Sequence, residues 1–407
     1  MYLALENKVQ KIIVIGGGAA GFFYAINKAK NNPATEIIIL EKSDEVLEKV
    51  RVSGGGRCNV THQCFEAKEL VKNYPRGSKE LVSPFYTFNP QQTIDWFAER
   101  GVAIKAEADG RMFPVSDDSA TIIHCFLQEI KKYNIKIYTS QDVDAISFED
   151  EKWIVKTSRQ ALFEADSIYI ATGSSLRMWK MLEQLGYQIN LPIPSLFTFT
   201  IKDERLNDLM GVSVPAATIK INNEKLQQTG PVLITHWGVS GPAVLKLSAF
   251  AAKYFHEKKY KVQIAINWTG DLKKEVCLQK LLTYKDENAK KMVVNYPLFN
   301  LPSRLWQKLV GHCHLTEKKW ADAPKKDLDN LSNQLTAAIF EVTGKSTFKE
   351  EFVTCGGVAL SQIDFKTYQS KLHKNLYFGG EVLDIDAITG GFNFQAAWTS
   401  AWIAANA

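Results

Sequence analysis

The feature that most constrains this chain is the stretch KIIVIGGGAAGFFYAI at residues 11–26. Four of its first five residues are apolar and β-branched, which predicts a short buried strand. The next six residues, 16–21, fit G-x-G-x-x-G, and a helix is predicted to follow them. A second buried strand is predicted at 36–40 and ends at Glu41. The order strand, glycine turn, helix, strand and acid is typical of a dinucleotide-binding unit.

Each part of this unit has a physical task. Gly16 permits the tight turn, Gly18 lets the backbone approach a diphosphate, and Gly21 lets helix and strand pack closely. The start of the helix offers free N–H groups and a partial positive charge to phosphates. Glu41 can accept hydrogen bonds from a ribose. A glycine-rich turn without a ligand is the alternative, and the context of strand, helix and acid favours a dinucleotide site.

The same stretch could be mistaken for a signal peptide or a membrane anchor. Its apolar run is interrupted by three glycines and reaches only about 15 residues, whereas a spanning helix needs roughly 20. No other segment qualifies, so we expect a cytoplasmic protein without a membrane span.

Charge and cysteine content give no support to a nucleic-acid-binding, membrane-binding or disulfide-stabilised protein. The 407 residues carry 49 Lys and Arg against 44 Asp and Glu, a mild excess that does not by itself indicate a nucleic-acid or membrane partner. The six cysteines are scattered and none forms a C-x-x-C pair, which favours free thiols in a reducing compartment.

Three further stretches indicate that the dinucleotide is FAD. Residues 49–62 (KVRVSGGGRCNVTH) provide a flexible backbone that can lie against a flat ligand, and 168–174 (IYIATGS) is a strand that ends in Ala171-Thr172-Gly173. Residues 376–394 combine a strand, an acid suited to a ribityl hydroxyl, and a glycine pair at the start of an apolar helix. That helix would direct its positive end at the flavin pyrimidine. No second G-x-G-x-x-G indicates a separate nicotinamide domain.

Several blocks together give the sequence a resemblance to a known family. They are SGGGRCNVTH (53–62), GRMFPVSDDSA (110–120), THWGVSGPAVLKLS (235–248), TCGGV (354–358) and GGEVLDIDAITGGFNFQAAWTSAWIA (379–404). The combination resembles the bacterial YhiN-type FAD-dependent oxidoreductases, which include aminoacetone oxidases and a reductase of 3-dehydro-bile acids. The resemblance implies an α/β fold: a discontinuous Rossmann-like FAD-binding domain with an inserted β-barrel-like domain that carries a small helical subdomain.

The resemblance also implies non-covalent FAD and a set of FAD contacts. Those contacts are Gly16, Gly18, Ala19, Ala20, Gly21, Glu41, Lys42, Arg51, Gly54, Gly55, Gly56, Arg57, Cys58, Asn59, Val143, Thr172, Gly173, Gly380, Glu381, Gly391, Phe392 and Asn393. Ala171 joins them from the A-T-G pattern, and Val143 would supply a backbone contact to adenine.

The predicted organisation has three parts in sequence. Residues 1–193 form the first part of the FAD-binding domain and residues 347–407 the second. Residues 194–346 are the insertion, with alternating strand-like segments at 194–270 and Lys-rich, Leu-spaced sequence at 271–346 that predicts helices.

The sequence identifies no catalytic acid or base. His236 between a strand and a glycine turn, Arg57 beside the glycine run, and Arg111 in GRMFP are weak candidates. The alternatives are a structural histidine, an arginine that positions FAD, and a turn arginine paired with a nearby acid. Cys58 as a redox thiol lacks a C-x-x-C partner, and His-Cys-His at 312–314 cannot all face one ion, so no metal is expected.

The predicted function is that of an FAD-dependent oxidoreductase. Electrons would pass through flavin N5 to or from a small organic substrate, with NAD(P)H as a candidate transient co-substrate. No dedicated nucleic-acid site and no particular oligomeric state is indicated. The alternative is a non-catalytic flavin-binding module that senses redox state or binds RNA.

Overall fold

The computed structural model describes residues 9–346 and 353–407. It begins with the strand, helix and strand that the sequence predicts, β1 (Lys11–Ile15), α1 (Ala19–Asn31) and β2 (Glu36–Leu40). The helix starts at Ala19 rather than at Phe22 as expected, because the last three residues of the glycine motif, Ala19, Ala20 and Gly21, are already helical.

The central sheet contains seven strands in the order β19-β20-β21-β10-β1-β2-β6. The added strands are β6 (Lys136–Tyr138), β10 (Ser167–Ile170), β19 (Ile363–Asp364), β20 (Gln369–Ser370) and β21 (Leu376–Phe378). From β21 to β6 the pairing is parallel, so the carboxyl ends of these strands meet at one edge of the sheet. Both chain ends contribute strands to this sheet, as the positions of the motifs predicted.

Other elements surround this sheet. The helices are α2 (Glu48–Val52), α3 (Ala67–Leu70), α4 (Val82–Thr87), α5 (Pro90–Ala98), α6 (Ser119–Lys132), α7 (Leu176–Gln184) and α13 (Phe392–Asn406). The short sheets contain β3 (Thr61–His62), β4 (Ile104–Ala106) and β5 (Arg111–Pro114), then β7 (Val143–Glu149), β8 (Lys152–Thr157) and β9 (Leu162–Ala165), and finally β11 (Ile189–Ser195) paired with β18 (Val353–Val358).

The chain divides into two units with separate hydrophobic cores. The first contains Met1–Pro192 and Thr354–Ala407, and the second contains Ile193–Val353. In the first unit α1 packs along α13, and aromatic rings fill the space around them; Trp398 lies 5.2 Å from Phe23 and 5.7 Å from Phe126 between ring centroids. This packing makes the C-terminal helix part of the same core as the N-terminal strands.

The second unit contains a closed barrel of six strands in the order β12-β15-β14-β13-β16-β17. The strands are β12 (Thr198–Ile201), β13 (Ser213–Ile221), β14 (Gln227–Thr235), β15 (Gly238–Ser240), β16 (Val262–Asn267) and β17 (Ala338–Ser346). Its helices are α8 (Pro242–Phe250), α9 (Ala252–Glu257), α10 (Lys274–Glu287), α11 (Ser303–His312) and α12 (Lys325–Thr336). The predicted fold class, a Rossmann-like α/β domain with a barrel inserted into its sequence, is confirmed.

One sequence-based prediction is wrong at the end of the insertion. The helical segment was expected to continue to residue 346, but Ala338–Ser346 is a strand whose first six residues alternate between buried and exposed positions. It pairs with both β12 and β16 and thereby closes the barrel. The alternation has the period of a strand, and a segment of nine residues after a long helical region was too short to stand out.

Across residues 9–346 and 353–407, no helix is both long enough and apolar enough to cross a membrane. The segment 347–352, which the sequence analysis assigned to the start of the second FAD-binding part, lies outside the described residues.

Candidate functional site

Four of the motifs that the sequence analysis selected lie side by side at the carboxyl edge of the central sheet. Hydrogen bonds connect them in series. The Gly16 N–H donates to the Leu40 carbonyl at 2.8 Å, the Ala171 N–H to Ile15 at 2.8 Å, and the Gly379 N–H to Ile170 at 3.0 Å. The glycine turn, Glu41, the A-T-G segment and the Gly380-Glu381 pair therefore follow neighbouring strands. In open α/β sheets this edge is where ligands bind.

The glycines of the first turn have distinct surroundings. A side chain at Gly16 would overlap the Ala171 carbonyl oxygen, and one at Gly21 would overlap the Gly16 carbonyl oxygen. These two glycines are thus required by the fold. Gly18 differs, because a Cβ placed there would have no heavy atom within 4 Å. The open space beside Gly18 lies at the N-terminus of α1, where a diphosphate would be held.

The acid after β2 is fixed by the turn it faces. One carboxylate oxygen of Glu41 accepts from the Gly17 N–H at 2.7 Å, and the other accepts from the Ser43 N–H at 2.9 Å. The Gln141 N–H donates to the Glu41 carbonyl at 2.8 Å, which brings the start of β7 beside this acid. Val143, the residue expected to contact adenine, is the buried first residue of β7. The predicted ribose and adenine residues are therefore neighbours.

The run of three glycines forms a left-handed loop after α2. Gly54, Gly55 and Gly56 have φ of 59°, 69° and 86°, and a Cβ at either of the last two would meet no atom within 4 Å. This backbone is open on one side, as expected for a loop that lies against a flat ligand. Cys58 follows with φ of 61° and is fully buried.

Asn59 connects this loop to the C-terminal helix. In the amide orientation that satisfies both ends of the side chain, its oxygen accepts from the Gly391 N–H at 3.0 Å, and its nitrogen donates to the carbonyls of Thr61 at 3.0 Å and Met112 at 3.2 Å. Gly391 has φ of 89° and is the residue before α13. A side chain at Gly391 would overlap the Thr61 carbonyl group. The N-terminus of α13 is thus held beside the glycine loop.

The first residues of α13 are fixed by hydrogen bonds and ring stacking with other parts of the chain. The Phe392 carbonyl accepts from the Tyr74 hydroxyl at 2.6 Å, and the Asn393 amide oxygen accepts from the Ala387 N–H at 2.9 Å. The His62 ring stacks on the Phe392 ring at 4.5 Å between centroids. The side chain of Asn393 is therefore engaged with the preceding loop, and only its backbone N–H faces the helix start.

Lys49 is a residue to which the sequence analysis gave no role. It lies on α2, and its ammonium contacts a carboxylate oxygen of Glu381 at 2.5 Å. A Cβ at Gly173 would lie 3.4 Å from the Lys49 Nζ and 3.7 Å from Glu381 Oε2. The ion pair therefore lies over the A-T-G segment. Lys49 and Glu381 are 332 positions apart, so no local pattern in the sequence could have indicated this contact.

These surroundings fit a dinucleotide such as FAD. Gly18 opens onto unfilled space, the loop at Gly55 and Gly56 is open, and the Thr172 hydroxyl is buried without a hydrogen-bond partner in the described structure. Buried hydroxyls are normally paired, so this one has a hydrogen bond to offer. The positive ends of α1 and α13 suit the diphosphate and the flavin pyrimidine, respectively.

The remaining predicted contacts include both buried and exposed positions. Ala19, Ala20 and Gly21 form the first turn of α1, and a Cβ at Gly380 would lie 3.4 Å from Ala20. Lys42 and Arg51 are exposed, and Arg51 lies 3.5 Å from Glu45.

The two arginine candidates are both paired with acids. Arg57 donates to Glu107 at 2.6 Å and stacks over the Phe113 ring at 3.9 Å. Arg111 donates to Asp109 at 2.8 Å and to Glu107 at 3.0 Å. For Arg111 this is the arrangement of the structural alternative, a turn arginine neutralised by nearby acids.

The remaining groups considered are Cys58 as a redox thiol, His236 as a catalytic acid or base, and the His-Cys-His segment at 312–314 as a metal site. Burial raises the pKa of the Cys58 thiol to about 12, which keeps it protonated and unreactive at neutral pH. His236 is an exposed residue of the turn between β14 and β15, with its ring 4.2 Å from that of Trp237. Within the described ranges no three His, Cys, Asp or Glu side chains are grouped to hold a metal ion.

A family model described as the HI0933-like protein Rossmann domain matches residues 10–407. The chain belongs to this family. The resemblance to YhiN-type flavoproteins drawn from the motifs is confirmed, and the chain is a flavin-dependent oxidoreductase by family.

Two curated relatives match this HI0933-like protein along almost its whole length. A 3-dehydro-bile acid delta(4,6)-reductase of Clostridium scindens is 24% identical and covers 98% of this chain and 99% of its own. A ribosomal RNA dihydrouridine synthase of Escherichia coli is 27% identical, with 97% and 96% covered. Among solved structures, a 3-ketosteroid-delta4-(5alpha)-dehydrogenase of Rhodococcus jostii aligns with a TM-score of 0.49 at 11% identity over 98% of both chains.

Proposed function

We propose that this protein holds FAD non-covalently along the carboxyl edge of its sheet and adds two hydrogens to a carbon–carbon double bond conjugated to a carbonyl group. The observation that supports the cofactor assignment is the series of hydrogen bonds that aligns the glycine turn, Glu41, the A-T-G segment and Gly380-Glu381. The open space at Gly18 and the unpaired Thr172 hydroxyl support it as well.

The substrate class comes from chemistry that two relatives share. A delta(4,6)-reductase of a 3-dehydro-bile acid and a dihydrouridine synthase act on different molecules. Both names nevertheless describe saturation of a double bond that a neighbouring carbonyl polarises. Such a bond accepts a hydride at its β-carbon and a proton at its α-carbon, so the class fits a flavin enzyme whatever the rest of the substrate is.

Bound FAD, once reduced by two electrons from NAD(P)H, would supply a hydride through its N5 atom. The protein's own residues then have to bind and orient the flavin and stabilise the negative charge that it gains upon reduction. The N-terminus of α13 would face the flavin pyrimidine, where negative charge accumulates upon reduction. Asn59 would fix that helix end through the Gly391 N–H, and the glycine loop would support the ring system. NAD(P)H is the proposed source of electrons. A reducing, cytoplasmic location is part of the proposal, because all six cysteines are free thiols.

The test begins with the purified holoprotein under anaerobic conditions. We expect the visible absorption band of oxidised flavin to bleach on addition of NADH or NADPH and to return when a 3-oxo-Δ4 steroid or another enone is added. The enone product should have gained two hydrogen atoms by mass spectrometry. If the protein purified without flavin and also bound none when it was incubated with FAD, the cofactor assignment would be refuted. A flavin that is reduced but is reoxidised neither by any enone nor by a uridine-containing RNA would refute the substrate class.

A uridine in RNA is the second form that this substrate could take, and the Escherichia coli relative is the observation that favours it. The reduced protein should then be reoxidised by a uridine-containing RNA fragment, with two hydrogens added to the RNA. Binding of such RNA should weaken as salt is raised, since phosphate contacts release counterions. Reoxidation by free enones alone, with no salt-dependent RNA binding, would assign a small-molecule substrate.

A further inference from the structure

We infer that Lys49 binds the diphosphate of the dinucleotide and that, without the cofactor, its ammonium is held in place by Glu381. The inference rests on the proposed FAD site and adds to it a cationic residue that neither the motifs nor the family resemblance assigned.

The position of Lys49 supports this role. Its helix, α2, is anchored to the first turn, because the Leu47 N–H donates to the Gly17 carbonyl at 2.9 Å. Glu381 is on the opposite side, since the preceding residue, Gly380, lies against Ala20 in the first turn of α1. The Lys49 side chain therefore extends from one side of the glycine turn to the other. A diphosphate at the N-terminus of α1 would lie beside its ammonium.

The charges near this point favour a cation beside the diphosphate. Glu41 and Glu381 both place carboxylates beside the glycine turn. A bound diphosphate would add two further negative charges, and like charges close together repel. No acidic or basic residue occurs in the first turn of α1. Of the nearby basic residues, Arg51 lies against Glu45, whereas Lys49 lies over Gly173 within the site.

The Lys49–Glu381 contact can be exchanged without a large penalty. The Lys49 side chain is 61% exposed and that of Glu381 is 23% exposed, and ion pairs at such positions contribute little to stability. The Glu381 carboxylate raises the pKa of Lys49, so the ammonium is charged and ready for an anion. On FAD binding the ammonium would turn to a phosphate oxygen, and the carboxylate would be free to accept from a ribityl hydroxyl.

The experiment measures FAD affinity by fluorescence titration of deflavinated protein at low and at high ionic strength. The variants are Lys49→Met, which keeps the length of the side chain without its charge, and Lys49→Arg, which restores a cation. Lys72→Met is the matched control, since it removes the lysine of an exposed Lys–Glu pair with Glu69 outside the site.

We expect Lys49→Met to weaken FAD binding by about tenfold or more at low salt, in line with the loss of a charge-assisted contact. The difference from the unsubstituted protein should shrink at high salt. Lys49→Arg should recover most of the affinity, and Lys72→Met should not differ from the unsubstituted protein.

Equal FAD affinity of Lys49→Met and the unsubstituted protein would overturn the inference while leaving the FAD site intact. A loss that is the same at both ionic strengths, or that Lys49→Arg does not reverse, would also overturn it, because the contribution would then not be that of a charge. Failure of the unsubstituted protein to bind FAD would instead refute the proposed function. Since Lys49 is exposed, all variants should share one thermal unfolding midpoint, and this is checked first.

Discussion

Substitution of Gly18 separates a residue that the ligand needs from residues that the fold needs. Gly18 has φ of −95° and ψ of −165°, a backbone conformation open to any residue, and a Cβ there meets no heavy atom within 4 Å. Gly18→Val should therefore change the free energy of unfolding of the cofactor-free protein by no more than about 1 kcal/mol.

The same valine should strongly reduce FAD affinity. It would occupy the space through which the diphosphate reaches the N–H groups at the start of α1. Each hydrogen bond from such a group to a charged oxygen contributes about 1.5–3 kcal/mol, so the loss of one weakens binding at least tenfold. Isothermal titration of deflavinated protein with FAD measures this directly, and chemical denaturation measures stability.

Two comparisons complete the design. Gly344→Val is the matched control, because Gly344 lies in the barrel strand β17, where a Cβ would be in ordinary contact at 3.9 Å from Thr200; it should leave FAD affinity unchanged. Gly21→Val should fail at the level of folding, since the new side chain would overlap the Gly16 carbonyl. Undiminished FAD affinity in folded Gly18→Val protein would refute the placement of the diphosphate.

Two further predictions concern the loop behind the flavin. Asn59→Ala removes three buried hydrogen bonds and should lower the free energy of unfolding by about 2–4 kcal/mol and also reduce FAD retention. Asn89→Ala removes the cap of α5 and a longer hydrogen bond to the Phe65 carbonyl, so it should cost about 1–2 kcal/mol and retain FAD. Equal loss of FAD from the two variants would contradict the role of Asn59. Burial raises the pKa of Cys58 to about 12, so iodoacetamide should modify the half-buried Cys64 well before Cys58 in the native protein. Peptide mass mapping measures the order of labelling. Labelling of Cys58 before Cys64 would disprove the burial of Cys58.

The sequence by itself determined the parallel strands of the central sheet and the segments predicted to form the site, but not the two short edge strands at 363–364 and 369–370. Short β-branched runs such as 11–15, 36–40 and 167–170 lie between polar or glycine-rich turns, and a strand buried on both faces has few other sequences available. A side chain at Gly16 or Gly21 would overlap backbone atoms, so both positions require glycine. Their spacing can therefore be recognised by comparing the sequence with the known motif. These signals are local, so the amino-acid sequence alone is enough to recognise them.

The tertiary structure decided which distant residues meet. Lys49 contacts Glu381, and Asn59 contacts Gly391, only because parallel pairing brings strands from the two ends of the chain together. Nothing near Lys49 in the sequence distinguishes it from other exposed lysines. The structure also showed that Arg111 is neutralised by Asp109 and Glu107 and that residues 338–346 close a barrel rather than end a helix. Such contacts depend on register and on direction across the whole sheet. Periodicity fixes which face of a strand is buried but leaves its neighbour undetermined.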